Sequence, residues 1–173
     1  MDRTRREFLY GSVVAGVAVT GCLGRETAPG PVAAAGDTQC AQCGMVAADQ
    51  PGPAGQTVYG GDDEPTEFCS AVCTYRHRFR QAETDPRVTY LTDYSTVDYE
   101  VSGSPPVVSA HLDPAAFADA NDLSLVVDAE VEGAMGPALV PFSATDDAEA
   151  FVNSHGGEVI DTGDVTRTLV SNL

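Results

Sequence analysis

Four of the five cysteines fall into two short-range pairs, Cys40 with Cys43 and Cys69 with Cys73. Two and three residues separate the partners, spacings that let two thiols reach one metal ion. Four readings fit them. Two disulfides suit an oxidising compartment, and a Cys-x-x-Cys pair can also exchange disulfides with a partner. Four thiolates can close a tetrahedral zinc site. Copper(I), a soft ion, prefers thiolate and thioether. Cys40 suits either a ligand role or half of a disulfide.

The methionines favour the fourth reading. Beyond the initiator only Met45 and Met135 occur. Met45 closes the run Cys43-Gly44-Met45, and Met135 lies in Glu132-Gly133-Ala134-Met135-Gly136-Pro137. A packing methionine normally sits inside an apolar periodic segment and fills gaps there. Neither of these does; both stand beside glycine in predicted loops, where the backbone can aim a side chain at a ligand. Zinc makes little use of thioethers, whereas copper(I) accepts them. The candidate ligands are therefore Cys43, Met45 and Met135 for copper(I), joined by Cys40, Cys69 and Cys73, with zinc on the four cysteines as the alternative. A site of two or three soft ligands with an open position can pass its ion on by ligand exchange. A closed four-thiolate site would hold its metal for structure or sensing.

Little else assembles chemistry. His77, in Arg76-His77-Arg78, reads as part of a solvated helix face, and His111 and His155 as loop and helix-end residues. Asp62-Asp63-Glu64 reads as a solvated turn. There is no His-Glu metalloprotease spacing, nucleophile elbow or phosphate loop. No nucleophile is paired with a base and an orienting group, so the expectation is a protein that is not an enzyme. A thiol-disulfide reductase is the weaker alternative, because no thioredoxin-like strand and helix flank Cys40 and Cys43.

The elements that would position these residues begin after residue 38. Residues 1–21 read as an export signal: Arg5-Arg6-Glu7-Phe8-Leu9 has twin-arginine character. The apolar stretch from Tyr10 to Gly21 suits a signal core but falls short of the ~20 residues that span a bilayer. Val19-Thr20-Gly21-Cys22 resembles a lipobox, which makes Cys22 the lipidated residue and places the protein outside the cytoplasm, anchored to the outer membrane face. An uncleaved N-terminal anchor is the alternative. Residues 22–38, rich in Gly, Pro, Ala and Thr, read as a flexible tether.

The rest reads as an α+β chain of two small homologous strand-strand-helix-strand units, 39–97 and 123–165, with 98–122 connecting them and 166–173 a tail. In the first unit, strands are predicted at Gln56–Gly60, Thr66–Phe68 and Val88–Thr92, with a helix from about Ser70 to Ala82. In the second, strands are predicted at Leu123–Ala129, Ala138–Phe142 and Glu158–Asp161. Ser143 is the expected N-cap of a helix that His155-Gly156-Gly157 stops. Phe68-Cys69-Ser70 and Phe142-Ser143-Ala144 occupy matching strand-to-helix junctions. Pro105-Pro106 marks a boundary, and a short helix is expected after Pro114.

Charge narrows the partners. Lys and Arg total 9 against 26 Asp and Glu, for a net charge of -17, and no lysine is present. Such a surface repels phosphate, which needs a basic footprint, so no nucleic acid partner is expected. The acids are spread along the chain, which suits a surface kept hydrated at high salt better than a field steering a cationic ligand.

Two stretches resemble a known family. Cys40-Ala41-Gln42-Cys43-Gly44-Met45-Val46-Ala47, with Pro51-Gly52-Pro53-Ala54-Gly55-Gln56, is similar to the opening of NosL proteins, the accessory lipoproteins of nitrous oxide reductase. The second signature is Glu132 to Ser143, continued by the helix from Asp146 to Asn153 and by His155-Gly156-Gly157-Glu158-Val159. The resemblance implies a copper chaperone for denitrification that binds one copper(I) through Cys43, Met45 and Met135. It implies delivery to the copper-sulfide centre of nitrous oxide reductase, with membrane-bound maturation proteins of that pathway as partners. It also implies two strand-strand-helix-strand domains. Phe68-Cys69-Ser70-Ala71-Val72-Cys73 adds a cysteine pair that bacterial members usually lack. Together with Cys-x-x-Cys-Gly-Met it resembles small metal-binding modules of the TRASH and YHS type, which implies a four-cysteine zinc or copper site in the first unit.

Overall fold

The structure is a computed structural model that describes residues 28–34, 36–81 and 83–173. The signal residues 1–21 and Cys22 lie outside the described residues. The architecture is α+β.

The first sheet is antiparallel, in the order β2-β1-β3-β6, from β1 (Gly55–Tyr59), β2 (Thr66–Phe68), β3 (Pro86–Thr92) and β6 (Phe117–Asp119). Helix α1 (Ala71–Arg80) follows β2 directly. It starts where the sequence allows, because the Ser70 side chain accepts from the Cys73 N–H and satisfies one orphan donor of the first turn. The second sheet is β10-β7-β11, from β7 (Ser124–Val127), β10 (Val140–Phe142) and β11 (Glu158–Asp161), with α2 (Thr145–His155) between the last two. Each sheet thus contains the chain order strand, strand, helix, strand.

One apolar core joins the two sheets. Leu125 and Val127 pack with Ala71, Val72 and Tyr75 of α1, Leu91 of β3, and Val170 of the C-terminal helix α3 (Arg167–Asn172). Val126 points to the other side, toward Val140, Phe142, Ala148 and Phe151. Leu125, Val126 and Val127 of β7 are buried on whichever face they lie, which is why these three form an apolar run with no alternation.

The segment 98–122 is more than a connection. It carries β4 (Val101–Ser102), β5 (Val107–Val108), β6 and two 3-10 turns, one of them at Pro114–Ala116. Pro105-Pro106 sits in the turn between β4 and β5. Val107 of β5 pairs with Glu132 of β8 (Glu132–Gly133), which forms a hairpin with β9 (Gly136–Pro137).

Two further expectations need correction. The N-cap of α2 is Ala144, which has no side-chain cap, and not Ser143. The loop after β3 instead holds the backbone just ahead of the first turn: Asp93 Oδ1 accepts from Ser143 N at 2.9 Å and from Ser95 N at 3.0 Å, and Ser95 Oγ accepts from Ala144 N at 3.1 Å. The segment read as tether is held in part. Gln56 donates to the Val32 carbonyl at 2.7 Å and accepts from its N–H at 3.0 Å, and the Tyr90 hydroxyl donates to the Pro29 carbonyl at 3.0 Å. Gln56 and Tyr90 are register partners on β1 and β3. An amide buried to 1% exposure needs partners, and this backbone supplies them.

Candidate metal centre

The sulfur site is assembled from three segments. Cys40 and Cys43 lie on a tight turn in which Gly44 N–H donates to the Cys40 carbonyl at 2.8 Å and Cys40 N–H to the Met45 carbonyl at 2.7 Å. Gly44 has φ +79°, a left-handed conformation that a side chain disfavours, so the glycine between Cys43 and Met45 is what lets the turn close. Ala41 N–H donates to the Glu67 carbonyl at 3.1 Å and ties this turn to β2.

The second segment is the junction of β2 with α1. The Ser70 cap leaves Cys69 just before the helix and puts Cys73 in its first turn. Both residues therefore sit at the positive end of the helix dipole, which favours negative charge on the cluster as a whole. The four Sγ atoms of Cys40, Cys43, Cys69 and Cys73 lie within 4.8 Å of one another. Cys43 to Cys69 is 3.5 Å and Cys69 to Cys73 is 3.7 Å, and all four are free thiols. Cys40, Cys69 and Cys73 are buried, whereas Cys43 is exposed.

The third segment is the β8–β9 hairpin, whose two-residue turn is Ala134-Met135. Its stem lies against the chain just ahead of β1: a Cβ on Gly133 would stand 2.6 Å from the Gly52 carbonyl oxygen, closer than side-chain atoms tolerate. The adjacent Pro53 carbonyl accepts from Ala71 N–H at the start of α1, at 2.7 Å. A backbone approach that only glycine permits thus sets the hairpin beside the thiols. Met135, Ala134 and Met45, all half-buried, pack against a cluster of Cys40, Ala47, Phe68, Cys69 and Cys73. All six sulfur-bearing residues singled out in the sequence are in this one neighbourhood.

The buried thiols share a negative charge unequally. Hydrogen bonds from Cys69 and Cys73 hold the Cys40 thiol far below its usual range, against the opposing effect of burial. The same bond to Cys40, with burial, pushes Cys69 far upward. Its bond to Cys40 pushes Cys73 up to about 12. Packed this closely, the thiols cannot all ionise without a cation among them, so binding a soft ion releases protons.

His77 differs from its expected place on a solvated face. It is 8% exposed, its Nδ1 is 3.0 Å from the Tyr59 hydroxyl, and its ring lies 5.0 Å from that of Phe68. Burial, then the Arg80 charge, lowers its pKa. His111 Nε2 is 3.1 Å from Ser109 Oγ, and His155 stacks on Phe151; neither belongs to the sulfur neighbourhood. Asp62, Asp63 and Glu64 are exposed in a turn. The sequence reading left out Phe68 and Ala134 as walls of the site.

The sequence model of the NosL family matches residues 31–170. The chain belongs to the NosL family. The copper-binding lipoprotein NosL of Stutzerimonas stutzeri is 29% identical over 162 residues, 92% of this chain and 80% of that protein. The crystal structure of the copper chaperone NosL from Shewanella denitrificans matches with a TM-score of 0.68 at 25% identity, over 79% of this chain and 95% of that one. The NosL fold is therefore present over most of the chain, and the four-cysteine cluster lies in the first sheet-and-helix half.

Proposed function

We propose that this protein carries copper(I) outside the cytoplasm, on a site built from Cys43, Met45 and Met135 over the thiols of Cys40, Cys69 and Cys73. The observation that carries this reading is that both methionines pack on the cysteine cluster. Half-buried thioethers bring a soft donor that needs no deprotonation, and thiolate supplies the strong bond and the charge. Two NosL relatives are described as a copper-binding lipoprotein and a copper chaperone, and the same cargo suits the sulfur set here. The exposed Cys43 leaves the site open on one side, so a partner's sulfur can attack the ion before the old bonds have broken. No free ion is then needed, and the protein acts as a carrier and not as an enzyme.

The finer points are part of this proposal. Cys22 carries the lipid after twin-arginine export and holds the protein on the outer membrane face. The recipient is nitrous oxide reductase at its copper-sulfide centre, reached together with membrane-bound maturation proteins. The acidic surface keeps the protein soluble in a salty medium.

One observation favours a second reading. Four sulfurs bonded to one ion at about 2.3 Å lie about 3.8 Å apart in a tetrahedron, close to the 3.5 and 3.7 Å found here. That spacing suits a resident zinc ion with a structural or sensing role. Anaerobic competition of the reduced protein against a chromophoric copper(I) chelator separates the two. The carrier reading expects tight copper(I) binding, with at least one bound equivalent weakened about tenfold or more by Met45→Ala with Met135→Ala. Copper(I) affinity indifferent to both methionines, beside one tightly held zinc, would defeat it.

A further inference from the structure

We infer that the six sulfurs form two adjoining copper(I) positions: an inner one on Cys40, Cys69 and Cys73, and an outer one on Cys43, Met45 and Met135. This rests on the copper reading above and extends it from one ion to two.

Donor number is the first argument. Copper(I) is satisfied by two or three soft donors, and the neighbourhood holds four thiols and two thioethers. A single ion would leave at least half of them unused. The donors also sort by depth. Cys40, Cys69 and Cys73 are buried, while Cys43 is exposed and both methionines are half-buried. Metal–sulfur bonds of about 2.3 Å put the sulfurs of a trigonal site about 4 Å apart. The inner three sulfurs lie within 4.8 Å of one another, with Cys69 to Cys73 at 3.7 Å. The 3.5 Å between Cys43 and Cys69 joins the two sets through sulfurs that touch.

The fold itself does not require the inner thiols. At the matching junction of the second unit, Ser143 and Ala144 stand where Cys69 and Ser70 stand in the first, between strand and helix, with no sulfur. The thiols are an addition to a junction that forms without them.

Loading moves no electrons. Each copper enters and leaves as copper(I), each thiol that binds gives its proton to solvent, and each proton returns when the ion departs. The exposed outer position exchanges with the partner, and the inner position refills it across the Cys43–Cys69 contact.

Anaerobic titration of the reduced full chain with chelator-buffered copper(I), thiols counted beforehand, is the test. The expected result is two equivalents for the wild type. Cys69→Ser with Cys73→Ser should bind one equivalent. Met45→Ala with Met135→Ala should keep one tight equivalent and weaken the other. X-ray absorption on the two-copper wild type needs no variant and should show a copper–copper vector beside sulfur-only ligation. Saturation at one equivalent with Cys40, Cys43, Cys69 and Cys73 all reduced overturns the inference, as does a Cys69, Cys73 double variant that still binds two. One zinc ion that survives excess copper(I) on the four thiols overturns it as well. Failure to bind any copper(I) would instead sink the carrier reading on which it stands.

Discussion

Asp93 is the residue whose loss should most clearly separate the two halves of the molecule. It is 2% exposed, and its Oδ1 accepts from Ser95 N at 3.0 Å and Ser143 N at 2.9 Å. It thus fastens the loop after β3 to the start of α2. Asp93→Ala removes the acceptor of both N–H groups. Hydrogen bonds to a charged group contribute about 1.5–3 kcal/mol each, which gives about 3 kcal/mol at the low end for two. Ser143 is exposed, so water takes over part of its bond, and about 2 kcal/mol remains. For a chain of this size that corresponds to a fall in Tm of about 4–8 °C. The assay is thermal unfolding of the reduced, metal-free protein followed by circular dichroism. Asp93→Asn keeps an acceptor oxygen and should recover more than half of the loss. A Tm within about 1 °C of wild type for Asp93→Ala would refute the reasoning, and so would an Asn variant as unstable as the Ala one.

Two further outcomes follow from the same structure. Ala144→Ser restores at α2 the cap that Ser70 provides at α1, and should raise stability by about 1 kcal/mol, or Tm by about 2–4 °C; no rise in the melt would count against the equivalence of the two junctions. His77 has a lowered pKa from burial and from Arg80, so the unfolded chain takes up its proton first as pH falls. Its contribution is complete above the ordinary imidazole value of about 6.5 and is lost as pH drops through the folded value. Tm measured from about pH 7 to pH 5 should therefore fall less steeply in His77→Gln than in wild type, and superimposable curves would remove the effect.

Much of this was legible where chemistry is local. The Ser70 cap, the apolar run of β7 and the Gly156-Gly157 stop of α2 each declare themselves within a few residues. The donor types were legible too, since few residues can offer a soft ion sulfur. What stayed hidden was decided by distant partners. Ser143 resembles a cap in isolation, but Asp93 and Ser95 hold its backbone and that of Ala144 ahead of the first turn. His77 looked solvated between two arginines. Yet it stands four residues after Cys73 and so on the same buried helix face, a signal that the flanking charges masked. The two-residue strands β4, β5, β8 and β9 carry too few side chains for a period to show. The approach of Met135 to the thiols depends on Gly133 lying on the Gly52 carbonyl, and no spacing along the chain encodes that contact.

The hold of Tyr90 on the Pro29 carbonyl fixes where the polypeptide first grips the folded body. With lipid on Cys22, as proposed, seven residues lead from the membrane surface to that grip, a leash of about 25 Å at full stretch. The body would then patrol only a thin shell above the lipid head groups. A recipient embedded in the same membrane would meet it inside that shell, so their encounters would be confined to the membrane surface and set by surface density and reach.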